Sequence, residues 1–184
     1  MKKRVQAASA VISILRPEVM KWATREKIKV DRVACPWLIQ HFVDPAAEFL
    51  FLPHNTDWSK IDNAMVFDVP GCELGHKGED VSFNSILRKY DLTDPALALL
   101  GEIVRSADSH PSSPHPAGEG LHWIAHGFGH LGLTDHQILE RQFVVYDALY
   151  RECKERTAPT APRSAPDFSK PKMFSLFEIA STAR

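Results

Sequence analysis

The chain is poor in cysteine. Cys35, Cys72 and Cys153 are its only three, widely spaced and without a C-x-x-C. An odd, scattered set builds no disulfide framework and fits a reducing, cytoplasmic compartment. An excess of charge of one sign is missing as well. Lys and Arg number 22 against 23 Asp and Glu, a formal net charge of -1. Such a balance gives no field to draw the molecule onto nucleic acid or an anionic membrane. Long apolar runs are absent. The N-terminal VQAASAVISIL falls far short of the roughly 20 residues a membrane-spanning helix needs. There is no internal repeat, no P-loop, no G-x-G-x-x-G, no G-x-S-x-G, no H-E-x-x-H and no basic helix with interleaved aromatics.

What is present is an ordinary globular composition. The 184 residues are 44% apolar and 24% charged, enough for one compact core. Residues 1–19 open with MKKR and read as an extension without regular structure. A secretory signal is the alternative, but the following RPEV makes a poor cleavage site. Met20 reads as a natural beginning. From Thr157 the text TAPTAPRSAPDFSKPK is proline-rich and aperiodic, so 157–184 reads as a mobile tail. The expected domain is 20–156.

Within it, Trp22 to Val30 alternates with the period of a half-buried strand. Pro36 suits the first turn of a helix, so a helix is expected from Pro36 to Val43, with Cys35 near its cap. Glu48–Leu52 and Ala64–Val69 read as strands. Gly71, Gly75 and Gly78 predict tight turns. Ser82 is the expected N-cap of a helix bearing Phe83, Ile86, Leu87 and Tyr90 on one face. Asp94-Pro95 opens another helix, and 109–120 reads as a loop. A helix over LHWIAHGFGHLGL follows. Thr134 with Gln137 is a capping box that opens the last helix, where Leu139, Phe143, Tyr146, Tyr150 and Cys153 form a stripe. The fold class is thus α/β or α+β, a small three-stranded sheet packed by four to five helices concentrated in the C-terminal half.

Three constellations carry candidate chemistry. In Asp31-Arg32-x-x-Cys35-Pro36, a nearby helix N-terminus attracts anions and activates a thiol, and Arg32 can fork an oxyanion. The bland alternative is an ion pair beside a buried cysteine. In Gly71-Cys72-Glu73-Leu74-Gly75-His76, Glu73 and His76 can converge on one metal ion, with Cys72 as a soft addition. A solvated glycine turn is the alternative. His122, His126 and His130 share a helical face able to clamp a transition metal, or simply titrate near neutrality. His110 and His115 look like loop decoration. Arg105 and Asp108 close the Pro95 helix and either reach a site at its end or form a surface ion pair.

KWATREKIKVDRVACPWLIQHFVDPAAEFLFLP resembles the opening of the chromate-resistance (ChrB-type) domain family. FDVPGCELGHKGEDVSF, KYDLTDPAL, EIVRSAD and VVYDALYREC continue the resemblance in order, from about Met20 to Lys154. It implies an association with bacterial chromate resistance. Longer members carry an additional N-terminal region and act as chromate-responsive transcriptional regulators. This chain would correspond to the shared part standing alone, without direct nucleic-acid binding. The motif carried over is Asp31, Arg32, Cys35, Pro36 and Trp37, then Glu73 and His76, then Arg105 and Asp108. The histidine face departs from the family pattern, and Cys72 stands where an aliphatic residue is usual.

The leading expectation is a cytoplasmic protein of the chromate and oxidative-stress response. Glu73 and His76 would bind a divalent metal ion, with Asp31 or Asp108 as oxygen partners. Arg32 and Arg105 would hold a small anion such as chromate or sulfate. A sensing module without catalysis, and an enzyme using Cys35 as nucleophile with His76 as base, are the alternatives. No membrane partner is expected, and a homodimer is compatible with the sequence. All three readings require the glycine-rich turn to fold over the amino end of the first helix.

Overall fold

The computed structural model describes residues 20–109 and 111–159. The expected N-terminal extension, His110 and the proline-rich segment from 160 onward lie outside the described residues. In chain order the elements are β1 (Lys21–Arg25), α1 (Val30–Phe42), β2 (Glu48–Leu52), a 3-10 turn at Trp58–Lys60, β3 (Ala64–Val66), α2 (Ser82–Lys89), α3 (Pro95–Asp108), α4 (Ala117–Gly129) and α5 (Asp135–Thr157). This is the α+β arrangement of a small sheet with helices massed in the second half. None of the described helices is long and apolar enough to cross a membrane.

The three strands are parallel in the order β2-β1-β3. Trp22 on the central strand lies opposite Phe49 of β2 and Met65 of β3. Trp22, Ala23 and Thr24 are all fully buried. The half-buried reading of this stretch is therefore corrected: a central parallel strand is covered on both faces, and alternation carries no information there. The strand also stops at Arg25. Lys27 takes a left-handed φ of 58°, and the Lys27 and Ile28 amides donate to the Asp135 carboxylate at the start of α5.

The expected helix start at Pro36 is also corrected. α1 opens at Val30 and encloses Pro36. An internal proline costs a helix about 3 kcal/mol. Burial of Val30, Val33, Trp37, Leu38 and Ile39 along the same helix offsets that, at roughly 1.5–3 kcal/mol per large side chain. Trp37 packs among Phe42, Tyr146 and Tyr150, and Tyr146 donates its hydroxyl to the Val30 carbonyl at 2.8 Å. Strand β3 ends at Val66 rather than Val69, because Asp68 adopts a φ of 48°.

In the second half, Asp94 caps α3 through the Ala96 amide, as Asp94-Pro95 predicts. The Thr134–Gln137 capping box forms at the head of α5. Helix α4 begins at Ala117, inside the stretch expected to be a loop. It reaches there because Gly118 lets its backbone lie against α3. A Cβ at Gly118 would stand 2.5 Å from Ser106 Cβ, whereas one at Gly120 would meet nothing within 4 Å. Gly118→Ala should therefore destabilise the protein by about 1–3 kcal/mol through overpacking. Gly120→Ala on the same helix should stabilise it by roughly 0.5–1 kcal/mol. Urea unfolding of the two variants checks the contrast, and equal shifts would refute the packing argument.

Candidate functional site

The chain leaves β1 for β2 on one side, then crosses to β3 on the other. The reversal opens a crevice beyond the carboxyl ends of β1 and β3, the place where open parallel sheets bind ligands. Arg25 ends β1, and Asp68 follows β3 by two residues. Asp31 lies in the first turn of α1, Asp108 ends α3, and the glycine-rich turn carries His76 over them. The start of α1, the connection from β3 to α2 and the end of α3 thus meet at one imidazole.

His76 Nε2 lies 3.1 Å from Asp68 Oδ1, 3.3 Å from Asp31 Oδ2 and 3.5 Å from Asp108 Oδ2. Asp31 is 1% exposed. Its Oδ2 accepts from the Ser82 amide at 2.7 Å, and its Oδ1 accepts from the Phe83 amide at 3.1 Å and the Cys35 thiol at 3.3 Å. The expected N-cap Ser82 is thereby corrected. Val81 is the N-cap residue and gives no side-chain bond, and Asp31 caps α2 from another helix. The Ser82 hydroxyl donates instead to Asp68 Oδ1 at 3.1 Å. On the other Asp68 oxygen, Arg25 lies at 3.4 Å and Arg32 at 3.7 Å.

The electrostatics follow from this crowding. Hydrogen bonds to Asp31 and Asp68 push the His76 imidazolium from 6.5 up to about 10, against the opposing effect of burial. Burial, with the neighbouring Asp31 and Asp68 charges, raises Asp108 from 3.8 to about 6. One ligand atom each from Asp31, His76 and Asp108 lies within 4.8 Å of the others. Two donors each about 2.1 Å from one ion stand at most about 4.2 Å apart, so small side-chain movements suffice to close around a cation. The donor set is oxygen with one imidazole nitrogen, which suits zinc, manganese or iron(II) rather than a thiophilic ion.

Of the residues singled out in the sequence, Asp31, Arg32, His76 and Asp108 come together. Glu73 does not: its carboxylate turns outward to Lys89. Arg105 pairs with Glu102 on the α3 surface and lines a separate cleft with Lys77, Asp80 and Arg88. Cys72 is half-buried, with its thiol raised by desolvation. Cys35 is fully buried, and burial pushes its thiol well above the ordinary range. The Asp31 carboxylate stands between that thiol and His76, a geometry that disfavours a cysteine nucleophile with His76 as base. On α4, the His122 and His126 rings stack with centroids 4.1 Å apart, and His122 Nδ1 meets the Ala107 carbonyl. Asp68 and Arg25 were missed from sequence. The available signal was a lone acid closing the apolar run AMVFD just before Pro70, at a strand's carboxyl end.

Residues 22–153 match the family described as ChrB, C-terminal domain. The chain belongs to that family. It is 36% identical over 131 residues to Protein ChrB of Cupriavidus metallidurans, an alignment covering 71% of this chain. The chain spans 40% of that relative's length. No solved structure matches it. Every residue of the cluster, from Arg25 to Asp108, falls inside the part that matches the ChrB domain.

Two outcomes follow for the chelator-stripped protein. Folding raises the affinity of His76 for its proton, so that stabilisation is full below pH 6.5 and disappears as pH climbs through about 10. Asp108 works in the same direction at lower pH, its contribution present below 3.8 and lost as pH rises through about 6. Urea midpoints should therefore fall between pH 7 and pH 9, and His76→Gln should flatten that decline. An unchanged slope in the variant would contradict the assignment. Iodoacetamide at neutral pH should label the half-buried Cys72 slowly and leave Cys35 unmodified in folded protein, as peptide mass mapping would read. Rapid Cys35 labelling would restore the nucleophile reading.

Proposed function

We propose that this ChrB-domain protein binds a divalent metal ion through Asp31, His76 and Asp108. Arg32, beside them, draws in a small chromate-like oxyanion. Membership of the ChrB family associates the chain with chromate resistance. The finer reading is a cytoplasmic protein of the chromate and oxidative-stress response.

The observation that carries the proposal is an excess of acceptors. Three carboxylates converge on one imidazole nitrogen, which holds a single proton. A lone N–H satisfies one acceptor well and three poorly, and like charges packed this closely repel. A divalent cation in place of that proton would offer Asp31 and Asp108 a full partner and relieve the repulsion. Asp31 is preset for the role, since two amides and a thiol fix its orientation as outer-shell partners fix metal ligands.

Sensing is favoured over reduction by the position of Cys35. Chromate reduction needs electrons, and a sealed thiol bonded to a carboxylate is a poor donor of them. In this reading, ligand binding stabilises the crevice, and a partner protein reads the result.

The test is metal analysis of protein purified without chelator, followed by zinc and manganese titration calorimetry. Wild type should take up one divalent ion per chain. Asp108→Asn should weaken binding by at least about tenfold, and His76→Ala by more. Glu73→Gln should have no effect, because its carboxylate faces Lys89 outside the cluster. Failure of wild type to bind either metal would end the proposal.

A further inference from the structure

Beside the cluster lies a cavity of 260 Å³, lined by Arg25, Asp68, Val69, Pro70, Gly71 and His76. It is smaller than the roughly 300–1,000 Å³ of sites for drug-sized ligands, so a nucleotide is too large for it. Gly71, at a φ of 81°, borders it, and a Cβ there would meet nothing within 4 Å. Small groups can therefore approach the backbone on that side.

Arg25 forms one wall. Its Nε donates to the Asp68 carbonyl at 3.2 Å, and one terminal nitrogen donates to Asp68 Oδ2 at 3.4 Å. A guanidinium carries five N–H donors in a fixed fork, and these two bonds leave others for a ligand. Arg32 shares the same Asp68 oxygen. Two guanidinium groups thus serve a single carboxylate edge, next to the carboxylates that would hold the metal.

The charge balance decides when an anion can enter. Asp31, Asp68 and Asp108 contribute three negative charges, and Arg25 and Arg32 contribute two positive ones. Without metal His76 holds its proton, and the set is neutral, offering an anion no net attraction. A divalent ion in place of that proton brings it to +1.

Resting on the metal reading above, we propose that Arg25, with Arg32, forms an anion subsite that accepts a small tetrahedral dianion only after the metal is bound. The metal would meet one ligand oxygen while the Arg25 fork takes two more. Arg25 thereby acts as the specificity residue of the crevice, a role the sequence pattern did not assign to it.

Sulfate is the probe, being tetrahedral, dianionic and inert to redox. Calorimetry on the full chain in chloride buffer would compare zinc-loaded and chelator-stripped protein. Sulfate should bind the zinc-loaded form at least tenfold more tightly. Arg25→Ala should lose that gain without weakening zinc binding, because removing a positive charge near a cation site cannot disfavour the cation electrostatically. Arg25→Lys should recover part of it. Should Arg25→Ala fail to fold, Arg25→Gln keeps a donor for the Asp68 carbonyl and carries the same expectation. Equal sulfate affinity with and without zinc would overturn the proposal, as would unchanged affinity in the Arg25 variants. Acetate competing as well as sulfate would overturn the tetrahedral assignment. Absence of zinc binding in wild type would remove the metal reading and this one together, whereas zinc binding without the sulfate effect would remove this one alone.

Discussion

Asp31 is a carboxylate buried in the core, and its two oxygens meet the amides that open α2, the Cys35 thiol and His76. A charge so far from water is tolerated only with such a full set of partners. Here the partners are also the joints of the fold. Through them α1 is tied to α2, and the glycine-rich turn to both. Removing the carboxylate would strand two helix amides and a thiol, at about 1–3 kcal/mol for each buried group left unpaired. The same bonds that stabilise the fold aim the remaining lone pairs into the crevice.

The crevice gathers opposite charges where the backbone already favours them. The amino ends of α1 and α2 both open beside it, and helix amino ends favour anions. That accounts for carboxylates clustering at a site where mutual repulsion would otherwise exclude them. Arg25 and Arg32 balance part of the charge, and His76 takes up the rest by holding a proton far above its ordinary range. Asp68 reaches its place only through a left-handed backbone conformation. Strain of this kind is tolerated where surrounding contacts fix it, and it concentrates at functional sites.

Family membership and geometry answer different questions. The ChrB match covers most of the chain and locates the site residues within the shared domain. It does not say which of them meet. Glu73 and Arg105 stood in the matching motifs beside His76 and Asp108, yet both turn toward neighbours on the surface. Neighbourhood in sequence is a poor guide inside a glycine turn, where successive side chains point in unrelated directions.

Elements governed by contacts a few residues long were legible in the sequence. The Thr134 capping box, the Asp94-Pro95 helix start, the EFLFL strand and the apolar stripe of α5 formed as their local patterns require. Local preference misled where distant groups prevailed. Pro36 sits inside a helix because core burial outweighs its cost, and Ser82 yields its capping role to Asp31. The site belongs almost wholly to this second class. Asp31, His76 and Asp108 come from three segments, and only tertiary packing around the parallel sheet brings them within one ion's reach. The sequence settled which residues could carry charge and where helices could begin. Which charges must share one small volume was decided by long-range packing, a property no local window contains.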